Sequence, residues 1–359
     1  MSIREPAPIA THPAGLVGGR LGLLPGIALY LASVLGTGLL VLPGLAAQTA
    51  GPASILSVAA VTLLAIPLAG AFAALAARHP DPGGVAAYAR RTLGPTAARA
   101  AGYWFMFGVA AGGCVVALLG ARYVATVLGI DEAAVPVIAL GWEVGTHISG
   151  EFRRPRRTIP IATTVTLVLS GAGYLVLQIV TVGALGPRAG EGDVVLLDLA
   201  RAGDLPGAPM LIGAAAGIVA LGVMNVYLAA FAKLGASLAS AGDLPGWFAK
   251  GVENGRVPRR ALLLTGFVVM LYFCAALATG GQLQPFILIH TASMVAIYVI
   301  GMIAAVRLLP RGTAGHRFAV VAVVLTTLLL PLAGIALVVP LLLAAAAVVV
   351  SVVRRRRGA

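Results

Sequence analysis

The chain has 359 residues, of which 60% are hydrophobic and only 10% charged, and its mean hydropathy is +1.00. An average soluble domain is about 25% charged, so the composition excludes a water-soluble globular protein and predicts an all-α integral membrane protein. The formal charge of +13 does not point to nucleic acid, because the basic residues cluster in short segments between apolar runs, which is a topology signal.

A transmembrane helix needs about 20 mostly apolar residues. On that scale the chain divides into Gly22–Gln48, Gly51–Ala77, Arg99–Leu128, Ala133–Phe152, Ile159–Leu185, Pro209–Ser240, Arg260–Thr279, Gln284–Leu308, Arg317–Leu337 and Val338–Val353. That is ten spans in one membrane domain, 22–353, between a polar tail, 1–21, and a basic tail, 354–359. The first 20 residues lack the short apolar core of a cleavable signal peptide. Strand alternation of the barrel kind is absent, and the runs are too long for barrel strands.

Loop charges set the expected orientation. Arg4, Arg20, Arg78, Arg90, Arg91, Arg99, Arg153, Arg154, Arg156, Arg157, Lys250, Arg256, Arg259, Arg260, Arg307, Arg311, Arg317 and Arg354–Arg357 fall on one side. The other side holds Arg122, Arg188 and Arg201 beside Asp131, Glu132, Glu191, Asp193, Asp198 and Asp204. The positive-inside rule predicts both termini in the cytoplasm of a plasma-membrane protein. The terminal arginines read as a stop signal for the last helix, with anionic lipid as the alternative partner.

The first span carries Ser33, Leu35, Gly36, Thr37 and Gly38 at its centre. Each glycine costs roughly 1 kcal/mol in a helix interior, so the pattern predicts local unwinding. An unwound point in a membrane lines a cavity or is buried in protein, and its half-helix N-terminus suits a carboxylate. The competing reading is a small-residue contact between helices. In the fourth span Glu143, His147 and Glu151 are four apart and share one face. An ionisable group inside a membrane is a functional candidate by default. Glu143 is the strongest such group, with His147 either its partner or a second functional group, and Glu151 reads as an interfacial partner of the arginines after it. Asn225, Tyr227, His290, Thr291 and Ser293 are weaker candidates, and Gln178 weaker still, because polar groups in membrane helices more often join helices. Tyr103 and Trp104 read as interfacial anchors. Cys114 and Cys274 lie in apolar runs and read as small core residues. No hydrolase, kinase, metalloprotease or nucleotide-binding motif is present, so neither an enzyme nor a cofactor is expected.

Several blocks together resemble a known family. These are Leu35-Gly36-Thr37-Gly38 with Leu42-Pro43, then His79-Pro80-Asp81-Pro82-Gly83-Gly84-Val85-Ala86 with Leu93-Gly94. Gly141-Trp142-Glu143 with His147, Glu151-Phe152-Arg153, Pro155, Arg157 and Pro160 forms another, and Asn225-x-Tyr227 the last. They resemble the amino acid–polyamine–organocation superfamily, and within it the bacterial L-methionine/branched-chain amino-acid exporter branch. The resemblance implies the leucine-transporter-like fold and a secondary transporter of neutral, apolar L-amino acids, with protons as a candidate coupling ion. It implies a substrate site built from Ser33, Leu35, Gly36, Thr37, Gly38, Gly141, Trp142 and Asn225. Backbone N–H groups of Thr37 and Gly38 would take the carboxylate, Trp142 would close over the side chain, and Glu143 with His147 would gate or carry the proton. That family has twelve helices. Here Ile130–Leu140 joins the start of a fourth helix to the end of a sixth, so roughly 60–80 residues are missing, two spans of ~20 residues with loops and a half-span. The alternative function is therefore a non-transporting remnant that binds another membrane protein or nothing.

Overall fold

In the computed structural model the residues described are 27, 36, 38–79, 81, 83–131, 135–136, 139, 155–192, 194–204, 206–250 and 258–357. Gly38–Ala50 forms α1 and Ser54–Arg78 α2; the short pair Gly84–Leu93 (α3) and Pro95–Tyr103 (α4) follows. A π-helical turn, Trp104–Val109, leads into α5 (Ala111–Leu128). Then come α6 (Pro155–Leu185), α7 (Val195–Ala202), α8 (Ala208–Ser240), α9 (Arg259–Ala278), α10 (Gln284–Leu308), α11 (Ala314–Leu329) and α12 (Val338–Arg357). No strand occurs among the described residues.

Among the described residues, seven stretches are long and apolar enough to cross a membrane. Two of them, Gly38–Arg78 and Ala314–Arg356, run 41 and 43 residues, far beyond the ~20 residues that a single crossing takes. Each is broken midway, at Gly51 (φ 52°) and at Gly334 (φ 54°). The expected spans thus meet α1, α2, α4–α5, α6, α8, α9, α10, α11 and α12; of the fourth, only Val135, Pro136 and Ala139 lie among the described residues. The last helix continues to Arg357 through the expected basic tail, with Arg354–Arg356 exposed.

The core is centred on α5, whose Ala, Gly and Val faces let neighbours approach closely. Cys114, Leu118, Leu119 and Tyr123 of α5 pack with Ala216, Ala220, Met224 and Leu228 of α8 and Val269 and Phe273 of α9. Membrane helices gain little from burying apolar area against one another, so close packing through small residues decides such interfaces. A second cluster joins α2 to α10 and α11 through Leu75, Met302, Ala305 and Ala319. Elsewhere large apolar side chains such as Leu211, Ile218, Leu271 and Leu341 face outward, the pattern a lipid-embedded bundle requires.

The loop charges segregate as the sequence predicts. At one end Arg90 and Arg99 meet Asp243 after α8, Arg99 also meets Ser351 of α12, and Arg307 of α10 donates to the Thr92 carbonyl. At the other, Arg122 of α5 donates to Gly281 O in the α9–α10 turn (2.6 Å), and Val127 packs on Gly213 of α8. Helix α6 runs antiparallel to α2, with Gln178 bonded to Ser54 and Thr62 packed on Gly171. The chain therefore leaves α5 at the end holding Arg122 and enters α6 at the opposite, basic end.

Three expectations need correction. Cys274 is exposed, not a core residue; an apolar run in a bilayer protein faces lipid as readily as neighbouring helices. Tyr103 is buried, and its hydroxyl donates to Asp243 O at 2.7 Å, which ties α4 to the α8 end in place of an interfacial role. Trp104 is half-buried and donates from Nε1 to Pro340 O of α12 (2.6 Å).

Candidate functional site

The Gly-x-Gly of the first span marks a break in the backbone. Gly36 is buried with φ 28°, a left-handed value that side chains with a Cβ rarely adopt, and a regular helix starts at Gly38. The helix Gly38–Ala50 thus begins two residues after a left-handed turn, within the stretch where the composition predicted unwinding.

Three side chains hold this half-helix from two neighbours. Tyr123 of α5, fully buried, donates to Leu40 O at 2.8 Å and accepts from Leu196 N at 3.3 Å. Gln178 of α6, also buried, donates from Nε2 to Ser54 Oγ (2.8 Å) and to Pro43 O (3.3 Å). These two bonds tie α6 to α1 and to the start of α2. Tyr174, one turn earlier on α6, lays its hydroxyl so close over Gly38 that a Cβ there would overlap it.

Behind this opening lies an aromatic and polar layer. Tyr227 of α8 stacks on His290 of α10 with centroids 6.4 Å apart and an interplanar angle of 8°. His290 Nδ1 sits 2.9 Å from Val109 O at the end of the π-helical turn. A carbonyl only accepts, so Nδ1 carries a proton there. π-Helical turns release carbonyls from the regular ladder and recur at functional sites; this one gives a membrane-embedded histidine its partner. Asn225, two residues before Tyr227, has a buried Oδ1 with no hydrogen-bond partner among the described residues.

Of the predicted substrate residues, Gly36, Gly38 and Asn225 are described. Ser33, Leu35, Thr37, Gly141, Trp142, Glu143, His147 and Glu151 lie outside the described residues. Ser293 is buried and donates to Ile289 O of its own helix, whereas Thr291 faces outward. Sequence reasoning missed Tyr123 and, Gln178 apart, the members of an α6 stripe made of Thr166, Ser170, Tyr174, Gln178 and Thr181. The members of the stripe are spaced four, four, four and three, so they share one face. All but Tyr174 are fully buried, and the hydroxyls of Thr166 and Thr181 lack partners among the described residues. The i+4 recurrence of polar residues within an apolar helix was the available signal. Among the described residues no cluster of three metal-ligating side chains occurs.

A family model described as amino acid permease matches residues 133–355, and a second with the same description matches residues 21–140. The chain belongs to the amino acid permease family. As a permease of this group it is similar to an uncharacterized amino acid permease of Bacillus subtilis (strain 168), 25% identical, with 88% of this chain and 92% of the relative covered. It is also similar to an uncharacterized transporter of Mycobacterium tuberculosis (strain H37Rv), 26% identical over 80% of each chain. An L-methionine/branched-chain amino acid exporter of Escherichia coli (strain K12) is 32% identical over 133 residues, 36% of this chain and 32% of the exporter. The family matches and these relatives place the permease within the amino acid–polyamine–organocation superfamily of transporters. The Bacillus alignment spans 391 positions yet takes in 88% of 359 residues, so about 75 positions are present in the relative alone. The Mycobacterium alignment, 357 positions over 80% of the chain, leaves about 70. The two family matches overlap at 133–140, between α5 and α6.

Proposed function

We propose that the permease carries neutral, apolar L-amino acids across the cell membrane by secondary active transport or exchange, with both termini cytoplasmic. The observation that carries this reading is the helix N-terminus at Gly38, opened by the turn at Gly36 and faced by Tyr174. A substrate carboxylate fits the N–H groups of Thr37 and Gly38, since anions are favoured at helix N-termini. Asn225 Oδ1, an acceptor with no partner, suits the substrate ammonium. No charged side chain among those described stands in this layer to pair with a charged substrate side chain, which favours neutral amino acids. Trp142 closing over the substrate, with Glu143 and His147 handling a proton, completes the reading. The residues absent relative to the full-length relatives fall at the 133–140 junction, and a single crossing there preserves the sidedness of everything downstream. That shortening is also the observation favouring the second reading, a remnant that folds and inserts but does not transport.

The test of substrate class is thermal stabilisation of the detergent-purified chain. A ligand present at a hundred times its Kd stabilises by about 2.7 kcal/mol. Leucine and methionine are expected to raise the melting temperature, and lysine and glutamate to leave it unchanged. A shift with charged amino acids, or with none, overturns the assignment.

Asn225→Leu separates stability from binding. Leaving a buried acceptor unsatisfied costs about 1–3 kcal/mol, and an apolar replacement of similar shape removes that cost. The variant is expected to melt at the wild-type temperature or above it while losing the leucine-induced shift. Lower melting with the leucine shift intact would remove Asn225 from the site.

A further inference from the structure

His290 is a titratable group inside the membrane with no part in the carboxylate, ammonium or gating contacts proposed above. It lies six residues into α10, about 9 Å from the start of that helix at 1.5 Å per residue. An ionisable side chain at such a depth is a functional candidate by default. Phe286, four residues before it, and Ser293 and Ile297, three and seven after it, are buried and mark the inward stripe of α10. His290 shares that stripe yet is only half-buried, so its open edge faces space inside the bundle and not lipid. Tyr227 repeats the pattern on α8, half-buried between the fully buried Met224 and Phe231. The two half-open rings are the stacked pair.

We propose that His290 is the coupling residue of the permease, binding and releasing at Nε2 the proton whose passage is linked to that of the amino acid. The proposal rests on the transport reading. Val109 O, 2.9 Å from Nδ1, can only accept, so Nδ1 keeps its proton in both charge states of the ring. Imidazole therefore becomes imidazolium at one atom: a proton from water adds to the Nε2 lone pair, and no other bond forms or breaks. Val109 O and the Tyr227 ring are the partners of the imidazole among the described residues, which leaves Nε2 for that exchange. Gly112 makes room for the ring, since a Cβ there would overlap Nδ1. The ring is thus fixed in place while its charge changes.

The groups around His290 leave that change of charge to it. Tyr227 faces it from α8, Tyr272 of α9 lies one turn away against Phe286, and Cys114 of α5 donates its thiol to Ala111 O. Unperturbed phenols and thiols stay protonated through neutral pH, whereas histidine changes charge between about pH 5 and 8. Helices α5, α8, α9 and α10 contain no carboxylate, so none of them supplies a fixed counter-ion. Arg122 of α5 is ten residues from Gly112 and bonded to the α9–α10 turn, and Lys233 of α8 is exposed.

The experiment measures leucine affinity of the detergent-purified full chain across the histidine range, about pH 5 to 8. Leucine stays zwitterionic there, so a change in affinity reports on the protein. One linked proton changes Kd about tenfold per pH unit over the range in which it is taken up or released. Tighter binding at low pH means that proton and leucine travel together, and weaker binding means that they exchange. His290→Asn puts an amide N–H where Nδ1 stood, keeps the bond to Val109 O and cannot titrate. It is expected to flatten the profile to about twofold or less over the whole range, whatever its Kd. Gly112→Ala keeps the histidine but displaces its ring, and is expected to move the midpoint of the profile; it decides the case where His290→Asn does not bind leucine. A profile that is flat in the wild type or survives in His290→Asn, or a midpoint unmoved in Gly112→Ala, overturns the proposal and leaves the transport reading standing. Glu143→Gln then identifies the other carrier. Absence of leucine binding by the wild type at every pH removes the transport reading and the proposal with it.

Discussion

Asp243→Asn is expected to cost about 3–5 kcal/mol of stability, the usual penalty for removing one member of a buried ion pair. The Asp243 carboxylate is completely buried and meets Arg99 at 2.7 Å and Arg90 at 2.5 Å. Arg90 is 37% exposed and can turn to water, but Arg99 is 5% exposed and has nowhere to go. Its remaining partner is the hydroxyl of Ser351 in α12, which accepts from Nη1. With the carboxylate gone, a guanidinium stays buried against one neutral oxygen, and the helices that it joins, α4, α12 and the end of α8, lose their common anchor. Desolvation accounts for most of the cost. Replacing both partners, Arg99→Met with Asp243→Leu, should therefore recover most of the loss, because no charge is then left to bury. The exposed pair Arg91–Asp81 (2.8 Å, side chains 49% and 22% exposed) provides the contrast: Asp81→Ala should change stability by no more than about 1 kcal/mol. Melting temperatures of the three variants and the wild type in one detergent check this ordering. Equal effects from Asp243→Asn and Asp81→Ala would contradict it.

Gly38→Ala is expected to reduce leucine flux at least tenfold, on the order of the loss that a displacement of about 1 Å brings to a positioned reaction. The new Cβ would overlap the Tyr174 hydroxyl and press on Leu42, whose Cδ1 lies 3.3 Å away. Either Tyr174 leaves the mouth of the half-helix or α1 shifts, and the pins from Tyr123 to Leu40 O and from Gln178 to Pro43 O oppose the shift. Overpacking of this kind costs typically about 1–3 kcal/mol. The second change Tyr174→Phe removes the overlapping oxygen and leaves Cζ at 3.4 Å, an ordinary contact. The double variant should regain melting temperature. Its flux then reports on the hydroxyl itself: recovery makes Tyr174 a packing neighbour, and continued loss makes it a substrate contact. Unchanged flux and melting in Gly38→Ala would contradict the geometry.

Much of the architecture was legible because a bilayer leaves few options. A run of about 20 apolar residues must satisfy its backbone within itself, so α2, α8, α9 and α10 could be placed from hydropathy and their flanking Pro, Gly and Arg residues. The break in the first span was legible for the same reason, since Gly36 and Gly38 are costly where no water compensates. What escaped were relations across distance and register. Arg99 and Asp243 are 144 residues apart, and Tyr123 reaches Leu40 from 83 residues away. Hydropathy cannot reveal a π-helical turn, because the Trp104–Val109 residues are the same whichever carbonyl each N–H selects. Nor does it distinguish a lipid-facing Cys274 from a buried Cys114, since both environments are apolar. The stripe on α6 was visible in principle as polar residues four apart, but threonine and serine commonly bond their own helix, as Ser170 does to Thr166 O.

The claim that matters most is that a permease shortened by about 70 residues relative to its full-length relatives still moves its substrate. Counterflow tests it directly: proteoliposomes holding the full chain are preloaded with unlabelled leucine and diluted into trace radiolabelled leucine. The account predicts transient accumulation of label above its equilibrium level, absent from protein-free liposomes and strongly reduced in Gly38→Ala. Label that enters the wild-type liposomes no faster than protein-free ones, with the protein folded and inserted, would contradict it.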